Sequence, residues 1–284
     1  MKLGVTMFAT DTAISPVLLA QEVEQRGFES LWLPEHSHIP TSRATPRGGV
    51  KGADDLPEKY WRTFDAFVAL AAIASVTSRI KLATGICLVA QRDPIWLAKE
   101  VASLDTLSGG RFLFGIGYGW NKEEMAQHGI PYRERRRILR EKILAMKALW
   151  TDDVASFDGD FVHLEPSWAW PKPVQRPHPP IILGGDAGPR TRADIVEFCD
   201  GWMPLGGRHP IVERIAQIRA DAEAAGRDPA GIEITLYGAP ADPGSLADLA
   251  QAGVHRAILT LPSDGAAAVL PLLDAHARLL DQIP

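Results

Sequence analysis

The chain has 284 residues, and 30 Lys plus Arg stand against 35 Asp plus Glu, for a formal charge of −5. Hydrophobic residues make up 46% and charged residues 23%, ordinary globular proportions that exclude global disorder, while the mild negative charge argues against a nucleic-acid or membrane-surface partner. The longest apolar runs fall short of the ~20 residues of a membrane span. The first residues, MKLGVTMFATD, lack the apolar core and cleavage site of a signal peptide. With only two cysteines, Cys87 and Cys199, and no disulfide framework, a cytoplasmic protein with buried thiols is expected.

Strand and helix patterns alternate along the chain. A first apolar run at 3–8 leads into an amphipathic helix at 16–26, announced by Ser15-Pro16 and stopped at Gly27. A second run at 30–34 is followed by a long connection, about 37–63, and a helix at 65–75. The third run spans 80–88 and its helix 94–107, entered through Asp93-Pro94 and ended by Gly109. The fourth run is 111–117, with a helix at 132–150. A second long connection, about 151–179, carries five prolines and a hairpin-like Phe157-Asp158-Gly159-Asp160-Phe161. Four more runs follow at 180–183, 201–205, 232–237 and 257–261, separated by helices at 190–198, 210–225 and 245–252 and closed by one at 265–280.

Most of these runs are continuously apolar rather than alternating, as expected of parallel strands buried on both faces. Eight βα units without a composition break predict an α/β fold, a (β/α)8 TIM barrel. It forms one domain over 1–284, with insertions after strand 2 and before strand 5. An open doubly wound sheet is the competing architecture.

In such a barrel, function gathers just after each strand. Glu35-His36-Ser37-His38 is the strongest polar cluster at these ends, and an imidazole there suits proton transfer near neutral pH. His36-x-His38 also raises a metal-dependent hydrolase. Strands 5 and 8 end in Leu-Gly-Gly and Thr-Leu-Pro, however, without the further ligands such a site needs, so no metal is expected. Gly115-Ile116-Gly117-Tyr118-Gly119 and Gly184-Gly185 let backbone approach a planar or anionic ligand closely. Phe8, Trp120, Trp202 and Tyr237 supply aromatic surface at the mouth, and His38 joins them in a substrate pocket. Upper-layer barrel filling is the simpler account of at least half of those rings.

Several stretches together resemble the bacterial-luciferase-like family of flavin and deazaflavin oxidoreductases. They are Phe28-Glu29-Ser30-Leu31-Trp32-Leu33-Pro34-Glu35-His36, Ile80-Lys81-Leu82-Ala83-Thr84-Gly85 and Leu104-Asp105-Thr106-Leu107-Ser108-Gly109-Gly110-Arg111-Phe112 running into 115–121. Pro179-Pro180-Ile181-Ile182-Leu183-Gly184-Gly185 with Asp200-Gly201-Trp202 completes the set. The branch most resembled uses coenzyme F420, a deazaflavin with a phosphorylated side chain. The resemblance implies that His36, after Glu35, handles the proton accompanying hydride transfer to or from a small organic substrate. It implies that Thr84, Gly85 and Ile86 form a bulge against the ring, often with a non-prolyl cis peptide. It further implies that Gly117, Tyr118, Gly119, Trp120 and Asn121 line the cofactor, and that Gly184 and Gly185 donate backbone N–H groups to its phosphate. Arg43, Arg47 and Lys51 would reach an anionic tail by charge alone. Family members are commonly dimers, so a homodimer is expected. In sugar-phosphate-oxidising relatives an acid follows the fourth-strand glycine turn; here Trp120 stands there, and Glu123 and Glu124 come later. An FMN-dependent monooxygenase, a metal-dependent TIM-barrel hydrolase and a non-catalytic cofactor-binding protein remain as alternatives.

Overall fold

The computed structural model describes residues 1–53 and 55–283; residue 54, in the first long connection, and residue 284 lie outside the described residues. Eight strands build a closed parallel barrel: β1 (Lys2–Thr6), β2 (Ser30–Leu33), β3 (Lys81–Thr84), β4 (Phe112–Gly117), β7 (Ile181–Gly184), β8 (Gly201–Met203), β9 (Glu233–Tyr237) and β10 (Arg256–Thr260). Strands β5 (Ala155–Asp158) and β6 (His163–Ser167) form a separate antiparallel hairpin inside the second long connection, centred on the Phe157–Phe161 segment. The helices are α1 (Pro16–Gln25), α2 (Ala66–Ala74), α3 (Pro94–Leu107), α4 (Lys122–Gln127), α5 (Arg135–Thr151), α6 (Pro189–Phe198), α7 (Ile211–Ala224), α8 (Pro243–Gln251) and α9 (Ala266–Ala277). Among the described residues, no helix is long and apolar enough to cross a membrane.

Local chemistry explains the boundaries. Gly27, Gly109, Gly226 and Gly253 each follow a helix at positive φ, where an L side chain is disfavoured. Asp93 accepts from the Ile95 and Trp96 N–H groups and Asp65 from Val68, capping α3 and α2. Ser15, expected as a side-chain cap, makes no such bond; Pro16 at the first helical position removes one of the donors that would need it. The third strand is shorter than its apolar run. It ends at Thr84, the Gly85–Ile86 peptide is cis, and Cys87 rejoins the barrel through a single bridge to Ile116. Helix α4 has no counterpart among the expected helices: one and a half turns are too short for a period to stand out.

The two ends of the barrel differ in chemistry. At the N-terminal end the fully buried Arg256 donates to Glu29 through Nε and Nη2 at 2.8 Å each, and to Thr235 at 3.0 Å and Glu233 at 3.2 Å through Nη1. It closes the bottom beneath Trp32, Ala83, Leu113, Ile182, Met203 and Ile258, the cluster that fills the barrel. A larger apolar layer lies between the outer strand faces and the helices. At the C-terminal end the first long connection folds back over the mouth. Its return is pinned by Phe64 N–H to Ala9 O at 2.9 Å and Thr63 Oγ1 to His36 O at 3.1 Å.

Replacing Arg256 leaves two carboxylates facing each other around an apolar stub. We expect Arg256→Met to lower unfolding free energy by about 3 kcal/mol, the low end for a broken buried ion pair because Glu29 and Glu233 keep some access to water. Urea denaturation followed by circular dichroism measures this; a loss within error of zero removes Arg256 from the forces closing the barrel.

Candidate active site

The site is organised around His36, three residues beyond the last paired barrel position on its strand, Leu33. Its imidazole is nearly buried, and Nδ1 lies 2.8 Å from Oε2 of Glu124, whose side chain is fully enclosed. The other oxygen, Oε1, accepts the Ser37 backbone N–H at 3.2 Å. A carboxylate that accepts here requires Nδ1 to carry the ring proton, which leaves Nε2 of the neutral ring as an acceptor. Nε2 has no hydrogen-bond partner among the described residues. Tyr60 and Trp120 stand against the same ring, with centroids at 5.4 and 5.7 Å.

The floor of the mouth is a bulge flanked by glycines. Gly85 N–H donates to Leu33 O at 2.8 Å and Cys87 N–H to Gly115 O at 2.7 Å, so the Gly85–Ile86 step is tied to strands on both sides. Thr84 is fully buried and its hydroxyl also donates to Gly115 O, at 2.7 Å. Ile86 then lies across the barrel top, where a Cβ on Gly117 would meet its Cδ1 at 2.7 Å and one on Gly184 its Cγ2 at 2.9 Å. A Cβ on Gly85 would meet Tyr237 at 3.0 Å. Tyr237 completes the floor. Thr6 donates its hydroxyl to Trp32 O, so the Tyr237 O–H donates to Thr6 Oγ1, at 2.8 Å, and burial raises the phenol's pKa.

The rim is aromatic and cationic. Phe8 packs on Tyr60 at 4.7 Å, with Lys59 Nζ 5.1 Å from the Phe8 ring and Arg43 5.9 Å from the Trp120 ring. Arg208 reaches across from the loop after β8 to Gly48, at 3.5 Å from where a Cβ would stand. Burial and the neighbouring Arg47 both lower the Lys59 pKa; Arg47 and Arg208 oppose the upward push of burial on Tyr60. Among the described residues Arg47, Lys59 and Arg208 have no carboxylate partner. Asn121 is fully buried, yet among the described residues neither its amide nitrogen nor its oxygen has a partner. A flat floor relieved of side chains, an aromatic wall, an unused donor and acceptor, and unpaired cations fit a planar ring that bears anionic groups.

The structure brings His36, Thr84, Gly85, Ile86, Gly117, Trp120, Tyr237 and Phe8 to this end of the barrel. Other expected residues face elsewhere. Glu35 turns away, accepting Leu88 N–H at 2.7 Å and Arg92 Nε at 2.6 Å, so it holds the loop after the bulge rather than touching the mouth. Tyr118 donates to Asp194 under the Arg136 guanidinium, between α5 and α6. Trp202 is buried in the outer layer and donates to Gly185 O at 2.8 Å. The Gly185 N–H, expected to bind phosphate, donates to Met203 O at 3.1 Å. Gly119, at positive φ, packs on Met125. His38 bonds to Ser37 and Gln127, pointing away from His36, and among the described residues no three His, Cys, Asp or Glu side chains gather as a metal-ligating group.

Two central residues escaped the sequence reading. Glu124 lies three positions after Asn121, a spacing that reads as a capping pair, but its carboxylate crosses to His36 instead. Tyr60 sits in a long connection with no periodic signal.

A model of the luciferase-like monooxygenase family matches residues 11–278. An uncharacterized protein of Mycobacterium tuberculosis is 40% identical over 278 residues, covering 97% of this chain and 98% of its own. The F420-dependent hydroxymycolic acid dehydrogenase of the same species is 30% identical over 225 residues, 78% of this chain and 56% of the relative. Among solved structures, a monooxygenase from Streptomyces bottropensis superposes with a TM-score of 0.78 at 20% identity, covering 99% and 97% of the two chains. An F420-dependent secondary alcohol dehydrogenase bound to an F420–acetone adduct superposes with 0.75 at 17% identity over 100% of both. These likenesses bear on fold.

The contact between Ile86 and its glycines is open to a double-mutant cycle. Gly117→Ala should destabilise by about 1–2 kcal/mol through overpacking. In an Ile86→Ala background that penalty should vanish, because the opposing atoms are gone. Thermal unfolding of the four proteins reads the coupling; additive losses mean that Ile86 does not rest on Gly117.

Proposed function

From the premise that the chain belongs to the luciferase-like monooxygenase family, whose members are oxidoreductases, we propose that it is an F420-dependent oxidoreductase moving hydride between the deazaflavin and a small alcohol, ketone or enoyl compound. The observation that carries the choice of F420 over FMN is the trio Arg47, Lys59 and Arg208. Three cations without carboxylate partners among the described residues suit a long anionic tail better than a single phosphate. The F420-dependent relatives lend the reading further support.

When bound, F420 supplies the hydride chemistry. This chain's own residues do the rest. Ile86, lying across glycines that keep its path clear, would support the ring. Phe8, Tyr60 and Trp120 exclude water from the reacting face, which strengthens every polar contact within it. Asn121 offers an amide donor and acceptor to ring heteroatoms. His36, its tautomer held by Glu124, presents Nε2 as the group that takes a proton from a substrate hydroxyl or returns one to a carbonyl.

Parallel titrations with F420 and with FMN test the cofactor. F420 should bind at micromolar concentration, and Arg208→Gln should weaken it about tenfold, as expected for loss of one charge-assisted contact. Binding of FMN with no binding of F420 overturns the assignment.

His36→Ala should leave F420 affinity intact while lowering kcat by roughly 10²–10⁴-fold, the usual worth of a positioned acid–base group. Turnover near the wild-type level removes His36 as the proton handler.

A further inference from the structure

The mouth occupies one side of His36; a second opening lies on another. A cavity of about 340 Å³ is lined by His36, Ser37, Gln91, Arg92 and His128 among others, and Phe8, Tyr60, Trp120 and Tyr237 are not in its wall. Among the described residues the buried Gln91 amide nitrogen has no partner, and with Asp65 and Arg92 in the wall the cavity is polar as well as roomy enough for water. His36 and Ser37 border both it and the buried carboxylate of Glu124.

An unbroken line of hydrogen-bonding groups runs along this side. From His36 Nδ1 it passes to Glu124 Oε2 at 2.8 Å. Glu124 Oε1 accepts the Ser37 hydroxyl at 3.4 Å, and Ser37 Oγ lies 2.7 Å from His128 Nε2. His128, just past α4, is exposed. Every member can exchange a proton, and the far end is wet. A hydroxyl between a carboxylate and an imidazole both accepts and donates, which is the requirement for a relay.

We propose that Ser37 and His128 form the proton path between His36 and solvent, leading out through the side cavity while the mouth is covered by cofactor and substrate. The proposal rests on the hydride-transfer reading above, because only that reaction gives His36 a proton to dispose of. In the oxidising direction, Nε2 of His36 takes the substrate's hydroxyl proton and the ring then holds two. The Nδ1 proton passes to Glu124 Oε2, and the carboxyl group turns to present it to Ser37. Ser37 accepts it while handing its own proton to His128 Nε2, and His128 releases one from Nδ1 to water. One proton enters and one leaves, and no electron moves along the path; His36 then holds its proton on Nε2, and once product has left, release of that proton to water in the open mouth and return of one to Nδ1 through Glu124 restores the starting tautomer, as the corresponding exchange with water does at His128. The reverse order serves reduction.

The surroundings of His128 favour this use. Burial, His38 and Arg92 push its pKa below the ordinary imidazole value, against the opposing pull of Glu124 and Glu35. It is therefore neutral and able to accept at neutral pH. His38 also contacts Ser37 Oγ, at 2.9 Å; because its Nε2 donates to Gln127 Oε1 at 2.6 Å, its Nδ1 is left to accept the Ser37 hydroxyl in competition with Glu124, a side branch that ends on Gln127 rather than in solvent.

The test is the exchange rate of the His36 Nδ1 proton with solvent, read by NMR on the full chain labelled with 15N-histidine. It needs no cofactor, so it stands or falls independently of the F420 titration. His128→Ala, at an exposed position, should slow exchange roughly 100-fold, the low end of what a positioned proton-transfer group contributes. Added imidazole should restore it, which a structural role would not do. Ser37→Ala should slow exchange without moving the His36 resonance, since the Ser37 backbone N–H still holds Glu124. If exchange in both variants stays at the wild-type rate, or if imidazole fails to restore it in His128→Ala, the path is wrong. A confirmed exchange effect with no F420 binding would leave the relay standing and remove the reaction assigned to it.

Discussion

A carboxylate enclosed on all sides, Glu124, sets the direction of the imidazole on which the chemistry turns. Its two oxygens are divided between the His36 ring and the backbone and hydroxyl of Ser37, so it grips both the side chain and the chain that bears it. Burying such a group is costly unless its acceptor sites are filled, and the partners that fill them lie 87 and 88 positions away. The bond therefore fastens α4 to the end of β2, and the ring inherits the rigidity of both. Without it His36 would be a buried imidazole free to choose its tautomer; with it, only one nitrogen is left to face the mouth.

The remainder of the top of the barrel is shaped by what is missing. Gly85, Gly115, Gly117 and Gly184 face inward on neighbouring strands, and their absent side chains make the space that Ile86 and Trp32 fill. The bottom is shaped by charge, with Arg256 held by two carboxylates and a threonine. A barrel closed at one end by an ion-paired network and at the other by backbone and one isoleucine concentrates conformational permissiveness at the functional end. The long connections follow the same division. The first lies over the mouth, and the second carries the hairpin β5–β6, pinned to α5 through Glu141.

The eight strands and the helix stops were legible because they rest on local signals: continuous apolar runs, prolines at helix starts, glycines at helix ends. Position in the ring was also legible, since Gly117 ends its strand, Gly85 follows its strand directly and His36 lies three residues beyond its own. Facing was readable but not read. In β8 Met203 belongs to the filled interior, so Trp202 must point outward. In β4 the inward places belong to Gly115 and Gly117, which turns Ile116 and Tyr118 out. Trp32 faces inward, and a two-residue period from it reaches His36 and passes over Glu35. What no local signal carried was Glu124 and Tyr60, because their meaning lies in partners far along the chain.

Helix α4 gathers these threads. Asn121, just before it, holds an unused amide; Glu123 accepts the Ala44 and Thr45 N–H groups of the covering connection at 3.0 and 3.1 Å; Glu124 holds His36. Adjacent acids on one short helix thus fix the cover and the imidazole together. A helix of six residues has little stability of its own, and α4 is held by its fully buried Met125 together with the two acids. Any movement of the cover that pulls on Glu123 is felt one residue away, at the carboxylate that sets the His36 tautomer. The connection over the mouth and the proton-handling imidazole are in this way anchored on the same six residues, which carry no periodic pattern of their own.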